Sequence, residues 1–115
     1  MRDILVHKFF QRGFDVKEAD NGEKGKQVFQ LFMPDIVLLD IMMPQASGFD
    51  TLRFIRDLPK GQNTPVIILS NVWSNTERRK AKDLKANGYL VKAYYTTEDI
   101  ASLVDDVLEG KNIDF

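Results

Sequence analysis

Three short apolar runs, each closed by a polar residue, do most to limit what this chain can become. They are Ile36-Val37-Leu38-Leu39 before Asp40, Pro65-Val66-Ile67-Ile68-Leu69 before Ser70, and Tyr89-Leu90-Val91 before Lys92. The first two are apolar at every position, as strands buried on both faces are. Stretches of helical spacing lie between the runs. Strands alternating with helices predict an open α/β fold, a parallel sheet with helices on both faces. Ligands bind such folds beyond the carboxyl ends of the strands. If the three strands are parallel neighbours, Asp40, Ser70 and Lys92 bring an acid, a hydroxyl and an amine together there. That combination suits phosphate chemistry, since a carboxylate can act as nucleophile and the amine offsets the negative charge it meets.

The helices are read from apolar spacing and from stop signals. Leu5 and Phe9 mark a helix over 4–12 that stops at Gly13. Phe14 to Ala19 alternates like a strand exposed on one face, near a sheet edge. Asp20 with Glu23 has capping-box spacing for a helix over 22–31 that buries Val28, Leu31 and Phe32. Ser47 with Asp50 opens a helix carrying Leu52, Phe54 and Ile55, and Pro59-Lys60-Gly61 closes it. Ser74 and Glu77 form an S-x-x-E box opening a helix to about Lys85. The last helix starts near Thr97.

Composition removes several classes of function. The 115 residues fit one domain, 1–115, without internal repeats or a linker. With 43% hydrophobic and 29% charged residues the chain has a globular balance. A net charge of -1 gives no single-signed field for nucleic acid or an anionic membrane. There is no cysteine, hence no disulfide and no thiolate metal site. The apolar runs fall far short of the roughly 20 residues of a membrane span. A soluble cytoplasmic protein is the expectation.

Taken together, Pro34-Asp35 through Asp40-Ile41-Met42-Met43-Pro44, Ser47-Gly48-Phe49, Ser70 and Tyr89-Leu90-Val91-Lys92 resemble the receiver domain of bacterial response regulators, of the chemotaxis single-domain type. Asn21-Gly22-Glu23 fits the same family. The resemblance implies a flavodoxin-like sheet of strand order 2-1-3-4-5 and a phosphoacceptor signalling domain rather than an enzyme in the ordinary sense. Asp40 would accept a phosphoryl group from a histidine kinase or phosphotransfer protein, Lys92 would bind a phosphoryl oxygen, and Ser70 would turn toward the phosphate. Mg²⁺ would bridge Asp40 and the phosphate, with the Met42 main-chain carbonyl as a further ligand. Tyr89 reads equally as a packed strand aromatic or as the family's switch aromatic. Trp73, Tyr94 and Tyr95 read as an exposed contact surface or as loop anchors, and His7 as a surface residue.

Three departures bear on competence. The family's opening strand ends in two acids that help carry the metal, whereas here the reading begins in a helix containing Asp3. The expectation is a receiver truncated at its amino terminus, with weak or absent Mg²⁺ binding and slow phosphorylation. Strand 14–19 would then pair directly with strand 36–39, or a partner chain would supply a strand in an exchanged or augmented dimer, unless upstream residues do so. Ala93 replaces the usual proline, predicting a trans bond after Lys92. Asn71 replaces a very small residue. The alternative function is a degenerate receiver acting as an interaction or dimerisation module without phosphotransfer. A hydrolase is the poorer reading, because Met42 stands where its second acid belongs.

Overall fold

The structure, a computed structural model, describes residues 2–41 and 48–115. In chain order the elements are α1 (Arg2–Gln11), α2 (Gly22–Phe32), β1 (Val37–Asp40), α3 (Gly48–Asp57), β2 (Val66–Ser70), α4 (Asn75–Asp83), β3 (Gly88–Val91) and α5 (Thr97–Leu108). The three described strands are parallel and ordered β1-β2-β3. All five residues of β2 are buried, as its continuous apolar run requires of a central strand.

Alternation along the strands sorts their side chains between two helical layers. Ile67, Leu69 and Leu90 pack with Leu5 and Phe9 of α1 and with Ile100 and Val104 of α5. Val66, Ile68, Tyr89 and Val91 pack with Phe29 of α2, Leu52 and Ile55 of α3, and Ala81 of α4. Each fully buried leucine or isoleucine contributes ~1.5–3 kcal/mol by leaving water. Ion pairs from Lys8 and Arg12 to Glu98, and from Arg12 to Asp105, fasten α1 to α5 at the surface.

Several local expectations change. The N-cap of α2 is Asn21, whose side chain accepts from Lys24 N at 2.9 Å, and not Asp20. Leu31 is 87% exposed while Phe29 takes the buried position. Ser74 does cap α4 as its spacing from Glu77 predicts, accepting from Glu77 N at 3.2 Å. Thr96 and Asp99 form a reciprocal capping box at α5 that spacing had not singled out. Ser47, read as the opener of α3, lies outside the described residues.

The strand expected over 14–19 does not form. Phe14 and Val16 are half-buried and their neighbours Asp15, Lys17 and Glu18 exposed, so the alternation is present, but the segment joins no ladder and does not pair with β1. A ladder requires a neighbour about 4.8 Å away. Here residues 14–20 and 34–40 instead line a common cavity of about 850 Å³, reached also by Phe9 and Val104.

Candidate functional site

The strand register places the polar strand ends on successive levels. Asp40 is paired with Leu69, and Leu69 with Leu90, so Asp40 sits level with Leu90. Ser70 lies one residue further along, level with Val91, and Lys92 one beyond that. At about 3.3 Å per residue the three groups climb a short staircase across the carboxyl edge. Alternation also separates them by face. Asp40 and Lys92 share the α1/α5 side with Leu69 and Leu90, whereas Ser70 and Tyr89 belong to the α3/α4 side.

Asp40 and Lys92 form the charged pair of the site. Lys92 Nζ donates to Asp40 Oδ2, with side-chain exposures of 20% and 35%. Both residues line the cavity beside β1, so the pair is open to it. Lys92 begins a 3-10 turn through Tyr94, and every described peptide bond is trans, that before Ala93 included. Gly48 admits the amino end of α3 to this edge. A Cβ there would meet Ile41 Cα at 2.8 Å and the Asp40 carbonyl oxygen at 3.0 Å. Any larger residue would push α3 away from the strand that carries the acid.

Ser70 faces a different set of partners. Its Oγ lies 2.8 Å from the Val72 carbonyl oxygen and 3.3 Å from Glu77 Oε2. Tyr89 Oη reaches the same two acceptors, at 3.0 and 3.1 Å. Tyr89 is only 3% exposed and stacks edge-on against Trp73, ring centres 5.9 Å apart. Burial raises the Tyr89 phenol above its ordinary range, and the Glu77 carboxylate adds to that rise. Trp73 and Tyr94 are exposed, at 51% and 70%, while Tyr95 packs against the α1/α5 layer. His7 and Asn71 are exposed.

Among the described residues no three acidic or histidine side chains converge where a cation could be held. Magnesium favours six oxygen ligands at near-ideal octahedral geometry. Asp40, with Lys92 already on its carboxylate, does not meet that need, so the described donor set does not fit a firmly held Mg²⁺. Met42, expected to add its carbonyl, lies outside the described residues. The residue that sequence reading missed is Glu77. Its spacing from Ser74 suggested capping alone, yet its carboxylate turns inward to the two strand hydroxyls.

The protein is an open parallel α/β domain with an acid–amine pair and a hydroxyl at the carboxyl ends of its strands. Residues 1–105 match the family described as Response regulator receiver domain, and the chain belongs to that family. It is thus a signalling domain of two-component systems. It is 35% identical to a probable transcriptional regulatory protein of Picosynechococcus, over 88% of this chain and 42% of that protein. It is also 35% identical to transcriptional regulatory protein CusR of Escherichia coli, over 86% of this chain and 43% of CusR. The chain therefore spans less than half the length of these curated relatives. Among solved structures, the receiver domain of the putative response regulator NarL of Mycobacterium tuberculosis superposes with TM-score 0.83 at 28% identity, covering 96% of this chain and 88% of that one. Chemotaxis protein CheY4 of Vibrio cholerae shares the fold at TM-score 0.86 and 24% identity, over 92% and 88% of the two chains. No described helix is long and apolar enough to cross a membrane.

Proposed function

We propose that this receiver accepts a phosphoryl group on Asp40 from the phosphohistidine of a histidine kinase or phosphotransfer protein and signals by changing its contacts with a downstream protein. The observation that carries this reading is the Lys92 ammonium seated on the Asp40 carboxylate at the carboxyl edge of the sheet. In the reaction a carboxylate oxygen of Asp40 attacks phosphorus. The phosphorus–nitrogen bond breaks, and its electron pair leaves with the donor imidazole. An anion approaching an anionic phosphoryl group is repelled, and Lys92 offsets that repulsion where the negative charge accumulates. Ser70 supplies a hydroxyl one strand level away, and Tyr89 is the aromatic whose position follows it. In this reading the chain's chemistry is its own phosphorylation rather than turnover of a separate substrate.

As the finer partner we propose an added strand from a second copy, in an exchanged or augmented dimer, seated in the cavity beside β1. An extended segment laid there would meet the outer edge of β1 and the apolar side chains of Phe14 and Val16. We place Mg²⁺ binding in the weak range and expect phosphorylation to be slow.

Intact-mass measurement after incubation with acetyl phosphate, with and without Mg²⁺, tests the central claim. One phosphoryl adduct that accumulates slowly, depends on Mg²⁺ and disappears in Asp40→Asn is expected. An adduct retained in Asp40→Asn, or none in the wild type at any Mg²⁺ concentration, sinks the assignment.

A further inference from the structure

The buried face opposite Asp40 holds two hydroxyls and one carboxylate in a closed arrangement. Ser70 and Tyr89, 1% and 3% exposed, lie on neighbouring strands and both reach Val72 O and Glu77 Oε2 within 3.3 Å. Each hydroxyl carries one proton, so two donors face two acceptor atoms, Val72 O and Glu77 Oε2. Glu77 enters from the first turn of α4, where Ser74 holds its backbone N–H. The S-x-x-E spacing would let its carboxylate reach back to the cap. It points inward instead.

We infer that Glu77 is a positioning residue, a tether that keeps the Ser70 and Tyr89 hydroxyls together on the α4 side of the sheet and away from Asp40. A hydrogen bond to a carboxylate is roughly twice as strong as one between neutral groups. The tether therefore biases the resting arrangement, because Ser70 must give up the Glu77–Val72 acceptors before its single proton can serve an anion at Asp40. Tyr89 shares both acceptors, so any departure of Ser70 leaves the phenol with a changed set of neighbours. The coupling between hydroxyl and ring thus passes through one side chain of α4. Ligands shift such an equilibrium only by their differential interaction with the two arrangements. Weakening the tether lowers what the phosphoryl group must supply.

This inference rests in part on Asp40 as phosphoacceptor, and two readouts separate the claims. In the unphosphorylated protein, Glu77→Gln removes the charge while preserving size. The Tyr89 phenol, followed by ultraviolet difference titration against a Tyr89→Phe control, then ionises at lower pH than in the wild type. With acetyl phosphate and Mg²⁺, the fraction of Asp40 labelled at a sub-saturating donor concentration rises about fivefold, the difference between a charged and a neutral acceptor. In a Ser70→Ala background the same substitution produces no such rise, which a general loosening of the domain would not reproduce. Urea midpoints of all variants identify any that fail to fold, in which case Glu77→Asp, shorter by one methylene, replaces Glu77→Gln and shows a smaller shift of the same sign. An unchanged Tyr89 titration overturns the tether, and so does labelling that is equal in wild type and variant. A shifted titration in a chain that takes no label in any form leaves the tether standing and removes the phosphoacceptor reading.

Discussion

Replacing Lys92 by methionine keeps most of the side-chain volume and deletes the charge opposite Asp40. The cost to folding follows from where the pair sits. Fully exposed ion pairs contribute ~0–1 kcal/mol, whereas truncating one partner of a buried pair costs ~3–5 kcal/mol. With side chains 20% and 35% exposed, Lys92 and Asp40 fall between these limits, near the exposed end. Lys92→Met is expected to destabilise the domain by ~1–2 kcal/mol. A cycle with Asp40→Asn and the double variant should return a coupling of ~1 kcal/mol that diminishes in molar salt, where the screening length falls to ~3 Å. Urea unfolding at low and high ionic strength measures it. A coupling within ~0.3 kcal/mol of zero would refute the claim that the pair is energetically real.

The same substitution should damage phosphotransfer far more than folding. At rest Lys92 faces one negative charge, but a phosphoryl group on Asp40 carries about −1.5 to −2. Lys92 therefore interacts more strongly with the transition state and product than with the resting carboxylate, and only that difference accelerates the reaction. Loss of one well-placed cationic or hydrogen-bonding group at such a site typically costs ~10²–10³ in rate. Labelling of Lys92→Met by acetyl phosphate should fall about a hundredfold. A variant that loses stability yet labels at the wild-type rate would make Lys92 a structural partner alone.

Two further expectations concern the frame around the site. Arg56 donates to Gly61 O at 2.6 Å, Thr64 O at 2.7 Å, Lys85 O at 2.9 Å and Asn87 Oδ1 at 3.0 Å, joining the end of α3 to the loops that precede β2 and β3. An ammonium cannot span that fan of acceptors, so Arg56→Lys should cost ~2 kcal/mol in urea unfolding, and a loss below ~0.5 kcal/mol would mean the fan is dispensable. Tyr89, with its phenol raised above the ordinary value of 10.0 by burial and by Glu77, stays protonated when folded while the unfolded chain ionises. Unfolding then releases a proton, so stability is intact below pH 10 and declines as pH rises through the raised range. The decline should be shallower in Tyr89→Phe, and equal slopes would rule out Tyr89 as its source.

What could be read from the chain was local, and what escaped depended on distant neighbours. The apolar run before Ser70 announces a strand buried on both faces, and every residue of β2 is buried. In α2, Val28, Phe29, Leu31 and Phe32 spread around the helix, so periodicity could not decide between them, and packing against α3 selects Phe29 while leaving Leu31 in solvent. Phe14 to Ala19 carries the alternation of a strand, but a ladder belongs to two segments and its partner space is a cavity. The site divides in the same way. That Asp40, Ser70 and Lys92 end three strands is visible in sequence. That Asp40 is level with Leu69 and Ser70 with Val91 is a property of register, and register decides which face each group serves.

That division by face gives the site its mechanism. Asp40 and Lys92 can meet on one side of the sheet without any rearrangement, so the charge that attracts a phosphoryl group is in place at rest. Ser70 cannot join them from the opposite face while its hydroxyl rests on Val72 O and Glu77. It must turn over the end of β2, which stops at Ser70. In the proposed reaction the acid–amine pair governs whether the phosphoryl group arrives, and the hydroxyl pair on the α4 side governs what its arrival changes. Glu77 belongs to α4, the helix that carries Arg78 beneath the exposed Trp73 ring, so the proposed tether joins Ser70 to that surface. With the proposed tether, phosphorylation of Asp40 reaches the surface through one carboxylate, and Glu77→Gln should uncouple that surface from Asp40 without touching the proposed phosphoacceptor.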